Sequence, residues 1–428
     1  MSFVLKDTTM RIYLLLILFL CLPLSAFSQH EADNWYFGRG AGITFKNGTH
    51  STLNDGRMYT FEGCATISDK KTGDLLFYTD GVTVWNSKHQ IMKNGRKLMG
   101  GKSSSQSALI VPDPGNNLQY YVFTAPDITG GSSELPKALF YSLVSFENPD
   151  GEVVSLNNLL VDSVGEKLTG TMDCSGNGFW VVASREQDGT FYSYHVTSKG
   201  VNTAPIVSKF TELKTHSGPG CMKISPDRTK LAVAYYNNTS NAVVLFDFNT
   251  ETGVITNSKV LVEGLNVFSS YSVSFSPDNS KLYATIETKN EYCFCNIYQF
   301  NIGTVASIPT QGYVTPLKIN SSSLQLAPDG KIYICSSMSQ QVGVIEKPNL
   351  YGSECDYNYD TIKLTGFSMF GLPNFMDYIF NQPPPGPNPL AWCTPPPPPP
   401  PHAVAFSDSG CIGSTLKFTD LSTLKPTK

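Results

Sequence analysis

Residues 224–236 read ISPDRTKLAVAYY, residues 275–287 read FSPDNSKLYATIE, and residues 326–337 read LAPDGKIYICSS. Asp227, Asp278 and Asp329 fall 51 and 51 residues apart. A fixed period of that length marks a repeat architecture. In each copy an apolar run ends in Ser-Pro-Asp or Ala-Pro-Asp, and an alternating run such as Leu282, Ala284, Ile286 follows. Proline pre-sets φ for a turn and aspartate bonds its own backbone two residues on, so each copy predicts strand, tight turn, strand. A further alternating run follows each: NAVVLFDFN, CFCNIYQFN and QVGVIEKPN. Three strands with room for a fourth in about 51 residues is the size of a β-propeller blade.

Weaker copies extend the array backwards. SGNGFWVVAS (175–184) aligns with Ser175 at the Asp position, IVPDPGNNLQYYVFTAPD keeps Pro112-Asp113, and ISDKKTGDLLFYTDGVTVWN keeps Asp69. That makes six units. NWYFGRGAGITFKNG (34–48) and GLPNFMDYIF (371–380) are left over at the two ends. The expectation is that they pair to complete a seventh blade, because ring closure removes exposed sheet edges. The predicted fold is thus all-β: a seven-bladed β-propeller over residues 29–381, a Pro-rich linker over 382–402, and the start of an Ig-like (PKD) β-sandwich over 403–428.

The first 28 residues read as a signal peptide. Lys6 and Arg11 precede the apolar core IYLLLILFLCLPL, and Ala26 and Ser28 offer small residues before a cleavage at Gln29. The core is too short for a comfortable transmembrane span, so no membrane anchor is expected and the chain is placed outside the cell or on its surface. The net charge is −4 with 15% charged residues and no basic stripe, which argues against a nucleic-acid partner. Export permits disulfides among the nine cysteines left after cleavage, with connectivity not readable from sequence. No CxxC or HxxxH spacing supports a metal, and nothing calls for a cofactor.

The stretches NWYFGRGAGITF, EGCATISDKKTGDLLFYTDGVTVWN, MKNGRKLMGGKSSSQSALIVPDPG, SPDNSKLY and GLPNFMDYIF resemble a family of secreted Bacteroidota surface proteins. Their members carry an N-terminal propeller, PKD-type immunoglobulin-like domains and, in many cases, a gliding motility-associated sorting domain for type IX secretion. FSDSGCIGSTLKFTDLST (406–423) is similar to the opening of a PKD domain. The resemblance spans most of residues 34–380 and implies export and surface display. It brings no established chemistry.

Propellers bind ligands where their innermost strands converge. The segments leading into those strands are polar: YTFEGCATIS, SSSQSALIV, LTGTMDCSG, KTHSGPGCMKIS, FSSYSVSFS and INSSSLQLA. Aligned in register they put Glu62, Gln106, Thr171, His216, Tyr271 and Ser323 around one mouth as candidate ligand-binding residues. Small polar groups in such places also simply hydrate a channel. No GxSxG nucleophile elbow is present. The expected function is a non-enzymatic binding or adhesion module, a monomer with an extracellular protein or polysaccharide ligand. The alternative is a propeller hydrolase or lyase acting on extracellular polysaccharide, with Glu62 paired to Asp173 or His216 as acid and base.

Overall fold

A computed structural model describes residues 29–128, 136–185, 188–213, 218–236, 242–263, 267–288, 295–302, 313–316, 323–381, 405–407 and 418–420. Nearly all of the regular structure is antiparallel sheet, with three short 3-10 turns. The first sheet has three strands, Asn34–Phe37, Ala41–Thr44 and Ser51–Leu53. An eight-stranded sheet follows, built as two four-stranded halves that start at Ala65–Ser68 and Ala108–Pro112. One parallel bridge, Lys93 to Glu152, fuses their outer strands. A five-stranded sheet starts at Val164–Met172. The three copies of the turn motif then occupy three four-stranded sheets, starting at Met222–Ile224, Val267–Phe275 and Leu324–Leu326.

Within the described residues, each innermost strand packs against the innermost strand of the next sheet, from Ala65–Ser68 round to Leu324–Leu326, and Asn34–Phe37 packs antiparallel beside Ala65–Ser68. The first and last sheets also share a core. Trp35 lies 5.5 Å from Tyr333 and Phe45 lies 5.2 Å from Tyr333, ring to ring. Sheets with both faces apolar can be buried only between neighbours, and a ring supplies two neighbours to every sheet. The architecture is a β-propeller.

The repeated Pro-Asp signature does the work expected of it. The Asp227 carboxylate accepts bonds from the Ser225 hydroxyl at 2.6 Å and the Thr229 amide at 3.0 Å. Asp278 repeats this with Ser276 at 2.6 Å and Ser280 at 3.0 Å. The residue after each aspartate is left-handed: Arg228 at φ 67°, Asn279 at φ 64°, Gly330 at φ 76°. These turns all sit at the far end of the innermost strands. We call that end the turn face and the opposite end the entry face.

The ends of the ring differ from the expectation. Residues 371–380 do not pair with the N-terminal strands to finish a blade. They run down the axis of the ring and fill its channel. Pro373 bridges Cys64 in parallel, so the segment travels from the entry face to the turn face. The Asn374 amide donates to Cys64 O at 2.8 Å. The Asn374 side chain donates to Ala108 O at 3.2 Å and Leu168 O at 2.8 Å. Lys223 Nζ donates to Asn374 Oδ1, Phe375 O and Asp377 Oδ1 at 3.2, 3.0 and 3.2 Å, and to Gln325 Oε1 at 2.7 Å. The axial edge of an innermost strand presents unpaired amides and carbonyls, and a buried one needs a partner. The segment supplies several of those partners, which an added outer strand would not do. Gly371 is required at its entry: a Cβ there would meet Glu62 O at 2.2 Å. At the turn face the Asn279 side chain bonds that of Asn381 at 3.0 Å.

Beyond residue 381 the described residues are Ala405–Ser407 and Phe418–Asp420, which pair antiparallel. The expected signal peptide (residues 1–28) and the Pro-rich residues 382–402 lie outside the described residues. Among those residues, no helix is long and apolar enough to cross a membrane.

Candidate functional site

The entry face gathers two carboxylates. Glu62 precedes the strand Ala65–Ser68, and Glu166 lies near the start of Val164–Met172. Glu62 Oε1 accepts from the Ser103 hydroxyl at 2.9 Å, and Glu62 Oε2 accepts from the Tyr271 hydroxyl at 2.9 Å. Glu166 Oε2 accepts from the Ser105 amide and hydroxyl, both at 2.8 Å, and Oε1 from the Ile128 amide at 3.0 Å. Burial, then the charge of Glu166, pushes the Glu62 carboxyl up to about 7, against the pull of its hydroxyl donors. Burial also raises Glu166, with its amide donors opposing. Tyr271 is driven well above its ordinary range by burial and by Glu62, so it stays a neutral donor. A carboxyl that titrates near neutrality, oriented by a tyrosine and a serine, is a pH-dependent hydrogen-bonding group at the ring's mouth.

The structure brings Glu62 and Tyr271 into direct contact, as the register alignment expected of the mouth. It places the other candidates differently. Gln106 lies deeper, inside the filled channel. Its Oε1 accepts from the Met222 and Leu168 amides at 2.8 and 3.2 Å, and its Nε2 donates to Met222 O and Asn374 Oδ1 at 3.0 and 3.2 Å. All its bonding capacity is used within the protein. Thr171 sits near the turn end of its strand, opposite Trp180, with its hydroxyl buried and unbonded. Ser323 is buried, and its carbonyl accepts from the Cys335 amide at 3.3 Å. His216 lies outside the described residues.

Asp173 is not a partner of Glu62. It follows the far end of Val164–Met172, seven residues beyond Glu166, or about 20 Å along an extended strand. There it accepts from His195 Nε2 at 3.0 Å and the Ser175 hydroxyl at 2.8 Å, and His195 stacks on Trp180 at 4.2 Å. Glu166 was the residue missed at the mouth. It stands seven residues before Asp173, the spacing of Glu62 before Asp69 and of Gln106 before Asp113, and that spacing was the sequence signal.

Beside Glu62 the surface is aromatic. Tyr59 is 49%, Phe61 41% and Phe367 40% exposed. Large exposed rings grouped on one face mark an interaction surface. A separate shallow groove, lined among others by Met92, Arg96, Val154 and Leu156, lies where the two halves of the eight-stranded sheet meet. Among the described residues no group of three or more His, Cys, Asp or Glu is placed to hold a metal ion. Cys174 is disulfide-bonded, whereas Cys64, Cys221, Cys335 and Cys355 are buried free thiols.

No family model matches the chain. No curated protein matches it either. Among solved structures it is similar to a provisionally assigned 6-phosphogluconolactonase from Bacteroides uniformis, with TM-score 0.50 and 12% identity over 79% of this chain and 100% of that one. A second provisional 6-phosphogluconolactonase, from Bacteroides fragilis, gives TM-score 0.46 and 11% identity over 82% of this chain and 99% of its own. The β-propeller domain of a Myceliophteria thermophila protein gives TM-score 0.39 and 11% identity over 72% and 94%. At these identities the likeness concerns the fold alone.

Proposed function

We propose that the protein is an exported, non-enzymatic binding module whose ligand surface is the entry face of the propeller. The observation that carries this reading is the group of exposed rings Tyr59, Phe61 and Phe367 beside the Glu62–Tyr271 pair. Rings supply contact area at low entropic cost, and the carboxyl and serine supply directional bonds. Among the described residues, the channel is occupied by residues 371–380. The ligand is an extracellular protein or polysaccharide. Export is supported by the leader-like N-terminus and by the disulfide at Cys174. Surface display through type IX secretion and a PKD-type continuation rest on the sequence resemblance. Counting the eight-stranded sheet as two fused blades and the three-stranded sheet as one supports a reading of seven blades.

The test is an array of glycans and extracellular proteins probed with the wild type and with Tyr59→Ser/Phe61→Ser. The expected result is a wild-type signal lost in the variant at unchanged melting temperature. A signal of equal strength in the variant would move the site off this face.

The Glu62–Glu166 pair favours a second reading, a hydrolase or lyase of extracellular polysaccharide. A carboxyl near neutral pKa can act as general acid, with a second carboxylate completing the pair that glycosidases use. The enclosed state of Glu166, with both oxygens engaged, ranks this reading below binding. Release of reducing ends by the wild type, abolished by Glu62→Gln, would reverse that order.

A further inference from the structure

Two of the exposed rings pack on a cation, Arg39, that has no counter-charge among the described residues. Arg39 is the middle member of a three-way ladder. Its amide donates to Phe367 O at 2.8 Å, the Phe367 amide donates back to Arg39 O at 3.1 Å, and its other edge bridges Tyr59 antiparallel. Residues directly opposite in antiparallel pairs project to the same side, and Phe61, two residues beyond Tyr59, does so too. The Arg39 guanidinium carbon lies 4.6 Å from the Tyr59 ring centroid and 5.3 Å from that of Phe61. Tyr59 and Phe61 meet edge to face at 5.9 Å. No carboxylate among the described residues pairs with Arg39, and its Nε is buried without a hydrogen-bond acceptor.

A surface arginine ordinarily turns its fork towards a carboxylate or into bulk water. Here ring faces hold the guanidinium in place through cation–π contact, and its Nε finds no acceptor among the described residues. A guanidinium fork matches the paired oxygens of a carboxylate or sulfate, and fixing it beforehand reduces the ordering needed on binding. The neighbouring rings offer flat apolar faces of the kind on which the C–H face of a pyranose stacks. Ser103, Glu62 and Tyr271 add hydroxyl and carboxyl groups close by.

We propose that the Arg39 platform binds an anionic polysaccharide, the guanidinium holding the acidic substituent of one sugar while Tyr59, Phe61 and Phe367 carry the rings. This rests on the reading of the entry face as the ligand surface and names the ligand class for it. Carboxylated and sulfated sugars share the chemistry that the fork reads.

The experiment is affinity electrophoresis of the full chain in gels containing polygalacturonate, chondroitin sulfate or neutral dextran. Retardation by an anionic polymer and none by dextran is expected. Preference between polygalacturonate and chondroitin sulfate then assigns the substituent as carboxylate or sulfate. Arg39→Gln should lower the affinity at least tenfold, and Arg39→Lys should recover only part of it, because an ammonium lacks the planar fork. Phe367→Ser gives an independent arm on an exposed ring, with a several-fold loss expected. Raising sodium chloride from 50 to 300 mM should weaken wild-type binding whether or not a variant folds. Equal retardation by dextran would overturn the anion inference and leave the entry-face reading standing, provided Tyr59→Ser/Phe61→Ser still abolishes it. Retardation unchanged in both Arg39→Gln and Tyr59→Ser/Phe61→Ser would overturn both. No retardation in any of the three gels would overturn the polysaccharide assignment, while the protein half of the array still tests the face.

Discussion

Lys223 holds the channel segment in place, and replacing it should have a large, pH-dependent effect. Lys223→Met keeps the volume and removes the charge. The ammonium is buried and donates to Gln325, Asn374, Phe375 and Asp377, so its loss takes a donor from four acceptors and leaves the Asp377 carboxylate without its cation, although Gln106 and Gln325 still donate to Asn374 and Asp377. Removing one partner of a buried ion pair typically costs about 3–5 kcal/mol. With an unfolding entropy of about 2.1 cal/mol/K per residue over about 350 ordered residues, that lowers the melting temperature by about 4–7 °C. The sign of the pH dependence follows from Asp377. Burial already pushes its carboxyl up, and Lys223 pulls it back. Without the ammonium it rises further, so the penalty applies where Asp377 is ionised and fades as pH falls through its raised pKa. The gap between wild type and variant should be wide at pH 8 and narrower at pH 5 by differential scanning calorimetry. Adding Asp377→Asn to Lys223→Met should recover part of the loss, a coupling that the double-mutant cycle reads directly. A variant melting within 1 °C of wild type at pH 8, or a gap that widens in acid, would refute the buried-pair reasoning.

Other outcomes follow from the same contacts. Glu62→Gln should gain stability relative to wild type as pH rises from about 4.5 through about 7, because the wild-type carboxyl is disfavoured in its ionised form over that window; melting curves at pH 5 and 8 read the crossing. Asn374→Leu strands the Ala108 and Leu168 carbonyls and should destabilise by about 2–4 kcal/mol in urea titration, with unchanged m-value. Cys221 and Cys335, each pushed up to about 12 chiefly by burial, should resist alkylation in the native protein and react after denaturation, as peptide mass mapping would show.

The turns were legible because their chemistry is local. Pro-Asp followed by Arg228, Asn279 or Gly330 specifies a left-handed third position within four residues, and the spacing repeats. The strands showed for the same reason, since alternation needs no distant partner. The mouth was only partly legible. Glu62 and Tyr271 align with the entry segments, but aligning that unit on Ser175 instead of Asp173 put Thr171, near the turn end, where Glu166 stands, seven residues before Asp173 as Glu62 is before Asp69. Gln106 looked like a mouth residue because its partners, Met222, Leu168 and Asn374, lie far away in sequence. Residues 371–380 were the hardest case. Their apolar members, Phe375, Met376, Ile379 and Phe380, read as a short buried strand, and nothing nearby shows that Asn374 and Asp377 are meant for an axial channel.

The axial course of residues 371–380 has a mechanical consequence. A ring closed by an outer strand yields to tension on its tail by peeling, one ladder bond after another. Here the tail leaves at the centre of the turn face, past Asn381, so a pull on it loads the bonds to Cys64, Ala108, Leu168, Lys223 and Gln325 together, in shear. The disc hangs from its own axle, and the entry face lies at the opposite end of the ring from Asn381.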